Sequence, residues 1–570
     1  MTFAVRALEI HSQYAWDYEW VTRALRFMQR RGLNTLVLHR NDLVDLVVYP
    51  GALFGAGRER YASIFERYQD IFRELYRYTP TRRSGPYQRR AYLKRVLQMA
   101  ARAGIQVYVE NKELYFPDIL LEFHPELVKA GKLCASEPFW WDFIDLKYRE
   151  FFEEFPEIAG IIVAPATGES RVSISSNRCT CARCRATTKE GWFRQLAAAM
   201  HKPIREAGRT LVIRDFVFDA RTHAQIASAM EQLPPDVVIS LKNTPHDFYP
   251  TFPDNHRIGG IAGHAQWVEY DAMGQYYGWG IGISAMEADY RRRLAHAREQ
   301  GVSGVIIRTD WESLDGHSAF QTVNVFNLYA FSALAQDPQA DGVTAVLDGL
   351  HGQGWLADPA DEAGSRDGAT WLHGVLAPTW DVVRRTCYVN DCVFCDSSQL
   401  PVSLEHAFWL AEQKNSLKDW RPDKADALSM ETSNLRSLLA EKDEAVERVL
   451  ALQAKVEQGH PALTPAAREL LRTAFDAFVR YVQTWRVVAH AILLTQRQRQ
   501  QGFDPADAVD AGFDQLLTRR LDELPRLADD CAAYAATTDL NHRIYTLLDP
   551  DRLLALHGDL QRHRQQRRRP

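Results

Sequence analysis

The chain has 570 residues, of which 46% are hydrophobic and 25% are charged. This composition is typical of a globular protein with two or three domains and excludes a disordered chain. The formal net charge of −5 offers no basic field for nucleic acid, and no apolar run reaches the ~18 residues of a membrane span. No secretory signal is visible at the start, so we expect a cytoplasmic protein without nucleic-acid or membrane partners.

About the first 320 residues alternate short β-branched runs with amphipathic helical segments. Eight runs predict strands at Phe3–Ile10, Asn34–His39, Ile105–Glu110, Ile158–Ala164, Thr210–Phe216, Asp236–Leu241, Ile258–Val268 and Val302–Arg308. Helices are predicted between them at Trp20–Arg31, Tyr92–Ala103, Trp192–Ala207, Ala224–Gln232 and Ala285–Gln300. Eight β–α units predict a closed (β/α)8 TIM barrel over residues 1–331, with an open doubly wound sheet as the alternative.

The pattern changes after Phe331, where strand signals give way to helical apolar stripes. These stripes predict an all-helical C-terminal domain over residues 332–570. The predicted helices include Ser433–Gln458, Leu470–Gln496 and Asp514–Ala535. The segment Gly352–Thr370 is rich in Gly, Asp and Ala and is predicted to be a loop. We expect the stripes to form core, and a homodimer interface is their alternative use.

Charged residues lie at or just after the ends of the predicted strands, where (β/α)8 barrels place their active sites. They are Glu9, Arg40-Asn41-Asp42, Glu110, Glu169, Arg214-Asp215, Lys242-Asn243 with Asp247, Glu269, and Arg308 with Asp310-Trp311. Burying so many acids costs several kcal/mol each unless they are paired or functional. Paired carboxylates around a cleft are the groups that glycoside hydrolysis uses. For any single acid, a solvated loop position is the alternative.

Three cysteines follow the predicted fourth strand as C-x-C-x-x-C: Cys179, Cys181 and Cys184. Three thiolates at this spacing can hold a structural zinc with a fourth ligand from elsewhere, while free thiols or a local disulfide are the alternatives. A second triplet, Cys387, Cys392 and Cys395, can bind a metal in the same way. Because glycoside hydrolysis needs no metal, we expect no cofactor in catalysis.

Four stretches resemble the α-glucuronidases of glycoside hydrolase family 67. They are GIIVAPATGES, VVISLKNTPHDF, QWVEYDAMGQ, and GVIIRTDW followed by NVFNLYAFSALAQDP. The likeness covers residues 158–340 as short motifs in the family's order. It implies that Glu169 is the general acid and that Asp247 and Glu269 activate the attacking water. Inversion would follow, with acid and base about 6.5–9.5 Å apart.

The resemblance also implies an exo-acting enzyme on uronic-acid-containing oligosaccharides. Its substrate-binding residues would be Arg214, Lys242, Arg308 and Trp311, and from their positions at strand ends we add Glu110 and Asp310. Pro165 stands where the family carries a lysine four residues before the acid, which leaves open a related glycosidase with a different sugar specificity. A catalytically silent saccharide-binding barrel and a metal-dependent isomerase or aldolase barrel are the remaining alternatives.

Overall fold

The structure is a computed structural model. It describes residues 2–48, 80–116, 120–121, 124–164, 170–174, 179–215, 227–312, 314, 316–414, 420–424, 426–504, 506–538 and 547–568. The described chain forms two compact units, each built from several segments. The first lies within 1–243, 255–270 and 297–316, and the second within 244–254, 271–296 and 317–570. The division into domains at 331/332 stays a prediction.

Eight parallel strands close a barrel, which confirms the predicted (β/α)8 TIM fold. They are β1 (Val5–Ile10), β2 (Thr35–His39), β3 (Gln106–Glu110), β4 (Gly160–Val163), β5 (Thr210–Arg214), β6 (Val238–Lys242), β7 (Gln266–Asp271) and β8 (Gly304–Arg308). Neighbouring strands pair in chain order, and β8 pairs with β1. The carboxyl ends of all eight strands therefore meet at one mouth of the barrel.

The seventh strand does not lie where the sequence predicted it. The run Ile258–Val268 was the predicted strand, but β7 begins only at Gln266. Gly259 and Gly263 adopt positive φ angles of 78° and 83°, a left-handed conformation that interrupts extended backbone. The first part of the predicted run is therefore a loop. Its Gly259 N–H donates to Oε1 of Gln266 at 2.6 Å.

The barrel interior is filled by one apolar layer, because alternate strand residues point inward. We call this layer the floor, and it consists of Ala7, Val37, Tyr108, Ile162, Val212, Trp267 and Ile306. The rings of Tyr108 and Trp267 meet edge to face with centroids 5.2 Å apart. Glycines on adjacent strands make room for them. A Cβ on Gly160 would lie 2.6 Å from the Tyr108 ring, and one on Gly304 would lie 2.5 Å from Trp267.

Helices follow most barrel strands. Those before residue 300 are Tyr18–Arg30, Leu43–Val47, Pro80–Arg102, Phe139–Glu154, Ala182–Ala186, Lys189–Glu206 and Glu287–Glu299. Side-chain caps fix the starts of several of them. Asp17 accepts from the Trp20 N–H at the first helix, and Thr188 accepts from the Gly191 N–H at the start of Lys189–Glu206. These two caps fix where a helix begins after strands β1 and β4.

The C-terminal region is largely helical, as the sequence predicted. Its helices are Val325–Gln336, Gly342–Gln353, Glu362–Leu376, Thr379–Arg384, Leu404–Trp409, Thr432–Gln458, Pro465–Gln501, Ala508–Thr537 and Pro550–Arg568. The predicted loop Gly352–Thr370 is right only for residues 354–361, which lie between two helices; Asp361 caps the helix Glu362–Leu376 by accepting from the Gly364 N–H. A short hairpin of Tyr388–Val389 and Cys392–Val393 was also not predicted. None of the described helices is long and apolar enough to cross a membrane.

Candidate active site

The strand positions that follow the floor carry polar side chains. Two residues beyond a floor residue, in six strands, lie Glu9, His39, Glu110, Arg214, Glu269 and Arg308. Ser240 lies two residues beyond Val238, which packs against the floor. All seven are buried, and the two-residue strand period keeps them on the inward face. We call them the inner ring. Since the strands are parallel, the inner ring lies between the floor and the mouth where barrel enzymes have their active sites.

Arg214 is bound by two carboxylates of the inner ring. Its Nε donates to Oε1 of Glu269 at 2.9 Å, its Nη2 donates to Oε2 of the same residue, and its Nη1 donates to Oε1 of Glu110 at 2.5 Å. The Ser240 hydroxyl also donates to Oε1 of Glu269, at 2.6 Å. The planar guanidinium fork fixes both acids. Glu269, a predicted catalytic residue, is therefore held in one orientation by three donor groups.

A second set of contacts joins Glu9 to two histidines. Oε1 of Glu9 lies 2.7 Å from Nδ1 of His39 and 3.1 Å from Nδ1 of His11. The two imidazole rings stack with centroids 3.5 Å apart. Nε2 of His39 lies 3.3 Å from Oε1 of Glu110, and Nε2 of His11 contacts Glu312. Glu9, His11 and His39 each offer one ligand atom within 4.8 Å of the others, so they can also hold a divalent metal.

Glu110 and Glu9 are both buried, but their different partners shift the two pKa values in opposite directions. Burial raises the pKa of Glu110 to about 7, because Arg214 offsets the burial only in part and the neighbouring Glu9 and Glu269 oppose ionisation. Burial also acts on Glu9, but hydrogen bonds from His11 and His39 hold the pKa of Glu9 well below its ordinary value. The site thus contains a carboxyl that can carry a proton near neutral pH and one that stays ionised. Acid–base catalysis uses such pairs.

Asp310, a predicted substrate-binding residue, lies just beyond β8 and is fully buried. Its carboxylate accepts from the His11 N–H at 2.6 Å, from the Thr309 hydroxyl at 3.1 Å and from the Ser12 hydroxyl. Burial nevertheless raises the pKa of Asp310 to about 6. The carboxyl therefore joins the loop after β1 to the end of β8, and its charge depends on pH.

We expect Asp310→Asn to change how stability depends on pH. Because the folded-state pKa of Asp310 lies above its ordinary value of 3.8, the folded state holds this proton more tightly than the unfolded state does. The wild type should therefore lose up to about 3 kcal/mol of unfolding free energy from this group as pH rises from 4 to 7. The asparagine variant lacks that loss. Urea unfolding at several pH values measures the difference, and parallel curves would contradict the prediction.

Lys242 and Arg308, the two other cations predicted to bind substrate, end strands β6 and β8. Each of these strands pairs with a strand that carries a buried glutamate. Lys242 is in register with Glu269, and Arg308 is in register with Glu9. Both cations are buried. Trp311, predicted to contact the sugar, follows β8 and is partly exposed. The first compact unit thus brings together Glu110, Arg214, Lys242, Arg308, Asp310 and Trp311 at the same end of the barrel.

Asp247 belongs to the second compact unit. Its φ of 55° is left-handed, which is uncommon for residues other than glycine and often marks functional positions. The Tyr276 hydroxyl donates to its carboxylate, and the Thr244 hydroxyl donates to its carbonyl oxygen. The side chain is buried. Asp247 is therefore held in one conformation by its backbone and by a phenol.

Glu169 and Pro165 lie outside the described residues. The chain is described up to Ala164 and again from Ser170, whose hydroxyl donates to Oε1 of the buried Glu113 at 2.8 Å. The catalytic roles of Glu169, Asp247 and Glu269 therefore stay predictions. Each of the two that the structure describes is buried and hydrogen-bonded within its own compact unit.

Sequence reasoning missed Ser240 and Glu312. Ser240 could have been found, because it lies two residues before Lys242 in strand β6 and shares its face. Glu312 follows the end of β8, where no periodicity applies, so only the fold brings it to His11. His39 ends β2 and His11 directly follows β1, so both can be found as polar residues at strand ends.

The predicted zinc ligands Cys179, Cys181 and Cys184 lie together with a fourth cysteine, Cys134. The Cys134 sulfur is 3.6 Å from that of Cys181 and 3.5 Å from that of Cys184. The second triplet behaves differently. Within the part of the chain that the structure describes, Cys387, Cys392 and Cys395 do not form a ligand-sized group.

No protein-family model matches this chain, and no curated protein matches it. Solved structures do match. A GH138 enzyme that targets the pectin rhamnogalacturonan II has a TM-score of 0.60 and 11% identity over 93% of this chain and 62% of its own. An O-GlcNAc hydrolase of Thermobaculum terrenum has a TM-score of 0.44 and 11% identity, with 98% and 94% coverage. A β-N-acetylhexosaminidase of Bacteroides fragilis has a TM-score of 0.39 and 14% identity, with 62% and 70% coverage.

The shared feature is the fold. At 11% identity, the likeness to the GH138 enzyme shows a barrel followed by a helical region and does not carry an activity across. The chain spans 62% of the length of that enzyme. The neighbours do not single out the family 67 α-glucuronidases, so that resemblance remains a hypothesis from the sequence motifs.

Proposed function

We propose that this chain is a glycoside hydrolase whose active site lies at the carboxyl ends of the barrel strands. The observation that carries the proposal is the inner ring, in which carboxylates and cations are buried directly beyond an apolar floor. Burying these groups is costly unless they are paired or used. Glycoside hydrolysis needs carboxyl groups in different protonation states, and the contrast between Glu110 and Glu9 meets that need. The fold shared with a pectin-targeting GH138 enzyme agrees with this class.

The finer proposal is an α-glucuronidase-like enzyme for uronic-acid-containing oligosaccharides. Arg214, Lys242 and Arg308 end three strands of one barrel, and arginine binds carboxylates through two parallel hydrogen bonds. A substrate carboxylate would compete with Glu110 and Glu269 for the guanidinium of Arg214. Release of one of these acids on binding would couple substrate recognition to the charge of the site.

We assign the catalytic roles from the sequence motifs. Glu169 protonates the glycosidic oxygen, while Asp247 and Glu269 bind and deprotonate the water that attacks the opposite face of the sugar, so the anomeric configuration inverts. The donors around Glu269 fix its carboxylate before substrate arrives, which suits a group that must orient a water molecule. None of these steps uses a metal.

A substrate screen tests the proposal. Purified protein is incubated with uronic-acid-containing oligosaccharides, and in parallel with aryl glycosides of neutral and N-acetylated hexoses. We expect release of the uronic acid, with the opposite anomer as first product in a time-resolved NMR spectrum. If instead a neutral glycoside is hydrolysed and this activity depends on Glu169, the substrate assignment changes but the protein is still a glycoside hydrolase. Absence of hydrolysis across the whole panel would overturn the proposal.

The grouping of Glu9, His11 and His39 favours one second candidate, a metal-dependent isomerase or aldolase. Such a barrel needs a histidine and carboxylate ligand set at its strand ends, and this group supplies one. If this candidate is right, chelation should abolish turnover and His39→Ala should remove one equivalent of metal per chain. A glycosidase without a catalytic metal should keep its kcat/KM in a chelator. Measuring kcat/KM with and without a chelator therefore distinguishes the two candidates.

A further inference from the structure

Four cysteines of the first compact unit form one cluster, which we call the four-cysteine cluster: Cys134, Cys179, Cys181 and Cys184. Each offers a sulfur within 4.8 Å of the others, and all four are free cysteines. The two sulfur–sulfur distances from Cys134 are 3.6 and 3.5 Å. Zn–S bonds of about 2.3 Å place the sulfurs of a tetrahedral site about 3.8 Å apart. The cluster therefore has nearly the spacing that zinc requires.

A tight hairpin presents Cys134. The strands Val128–Lys129 and Lys132–Leu133 pair antiparallel immediately before it. Their two turn residues, Ala130 and Gly131, have φ angles of 51° and 73°, as in the turn that joins two-residue hairpins. The turn fixes the direction in which the chain leaves the hairpin. It thereby places Cys134 beside a segment 47 residues away in sequence.

A backbone amide bonds to the Cys181 sulfur. The N–H of Cys184 donates to it at 3.4 Å. A sulfur that accepts N–H groups is favoured as the thiolate, which is the form that binds metals.

The surroundings hold this arrangement and supply positive charge. The indole of Trp140 donates to the Cys134 carbonyl and the indole of Trp192 donates to the Ala135 carbonyl, each at 2.8 Å. Arg183 lies within the C-x-C-x-x-C segment and pairs with Glu137 at 2.7 Å. Lys129 pairs with the same Glu137, so these three groups together carry one net positive charge. Since four thiolates and one Zn²⁺ carry a net charge of −2, this charge lowers the electrostatic cost of the site.

We propose that the four-cysteine cluster binds one structural Zn²⁺ through four thiolates. Its ligand set is all sulfur, which selects a soft metal over Mg²⁺ or Ca²⁺. Four protein ligands leave no open position for water or substrate, so the ion stabilises structure and takes no part in the chemical step. It joins the hairpin before the helix Phe139–Glu154 to the segment before the helix Lys189–Glu206. The inference is independent of the proposed glycosidase activity.

Metal analysis of the full chain tests this inference. Protein purified from zinc-supplemented cells should contain about one zinc per chain by plasma mass spectrometry, and Cys134→Ser should lose most of it. Cys392→Ser is the matched control, because Cys392 is a buried cysteine outside the cluster. It should retain the wild-type zinc content. Metal-free wild-type protein, or undiminished zinc in Cys134→Ser, would overturn the proposal.

Cobalt substitution keeps the test valid if Cys134→Ser fails to fold. Wild-type protein is stripped with a chelator and reloaded with Co²⁺. We expect the intense visible absorption of tetrahedral cobalt together with thiolate-to-cobalt charge-transfer bands, and both should disappear when Zn²⁺ is added. Chelation should lower the Tm while changing kcat/KM much less. A weak octahedral cobalt spectrum would contradict a four-thiolate site.

Discussion

Glu169→Ala should lower kcat/KM on a natural oligosaccharide by about 10²–10⁴-fold and should change it far less on a nitrophenyl glycoside. A sugar leaving group departs as a poor alkoxide unless its oxygen is protonated, whereas nitrophenolate leaves without a proton. The loss at Glu169 should therefore depend on the leaving group. The measurement is kcat/KM on both substrates for the wild type and the variant.

The two water-activating acids give the matched comparison. Asp247→Ala and Glu269→Ala should lose activity on both substrates alike, because each substrate needs the activated water. Azide can replace that water and should rescue these two variants, but it supplies no proton and should not rescue Glu169→Ala on the oligosaccharide. Equal losses of Glu169→Ala on both substrates would remove its assignment as the acid. Activity like that of the wild type in all three variants would end the hydrolase hypothesis at this site.

The barrel could be predicted because its signals are local. Each β-branched run and each following helix can be read without knowledge of the rest of the chain. The prediction failed at Ile258–Val268, where apolar residues flank glycines that adopt positive φ angles. It also failed in the second half of Gly352–Thr370, where glycine and alanine are compatible with both loop and helix. The N-cap at Asp361 and the buried face of Glu362–Leu376 stabilise a helix in this segment.

From the sequence, only those site residues could be predicted that lie near the ends of predicted strands. Glu110, Arg214 and Glu269 were recognised one by one, because each lies at or near the end of a predicted strand. The sequence gives no sign that one guanidinium binds both acids, since that depends on which strands are neighbours and on the barrel radius. Cys134 likewise lies 47 residues from Cys181 in the sequence. The two meet only after the hairpin and the C-x-C-x-x-C segment have folded. Long-range pairing of this kind leaves no periodic signal in one sequence.

Arg214→Leu should lower the free energy of unfolding by about 3–5 kcal/mol. The substitution keeps an apolar side chain in β5 but removes the one cation that Glu110 and Glu269 share through three hydrogen bonds. Two buried carboxylates then face each other without a guanidinium between them. Arg149→Ala is the control, since Arg149 pairs with Asp145 and Glu206 on a partly exposed helix. Such a pair contributes about 0–1 kcal/mol.

A second substitution separates loss of charge from loss of packing. Adding Glu110→Gln to Arg214→Leu removes one of the two opposing carboxylates and should recover part of the lost stability. In a double-mutant cycle the two changes should therefore be non-additive by about 0.5–3 kcal/mol. The deficit of Arg214→Leu should also shrink toward acid pH, because Glu110, whose pKa burial raises to about 7, is protonated there and the repulsion disappears. Urea unfolding at pH 5 and pH 8 measures both effects. A deficit that is independent of pH and additive with Glu110→Gln would show that Arg214 stabilises the barrel by packing rather than by charge.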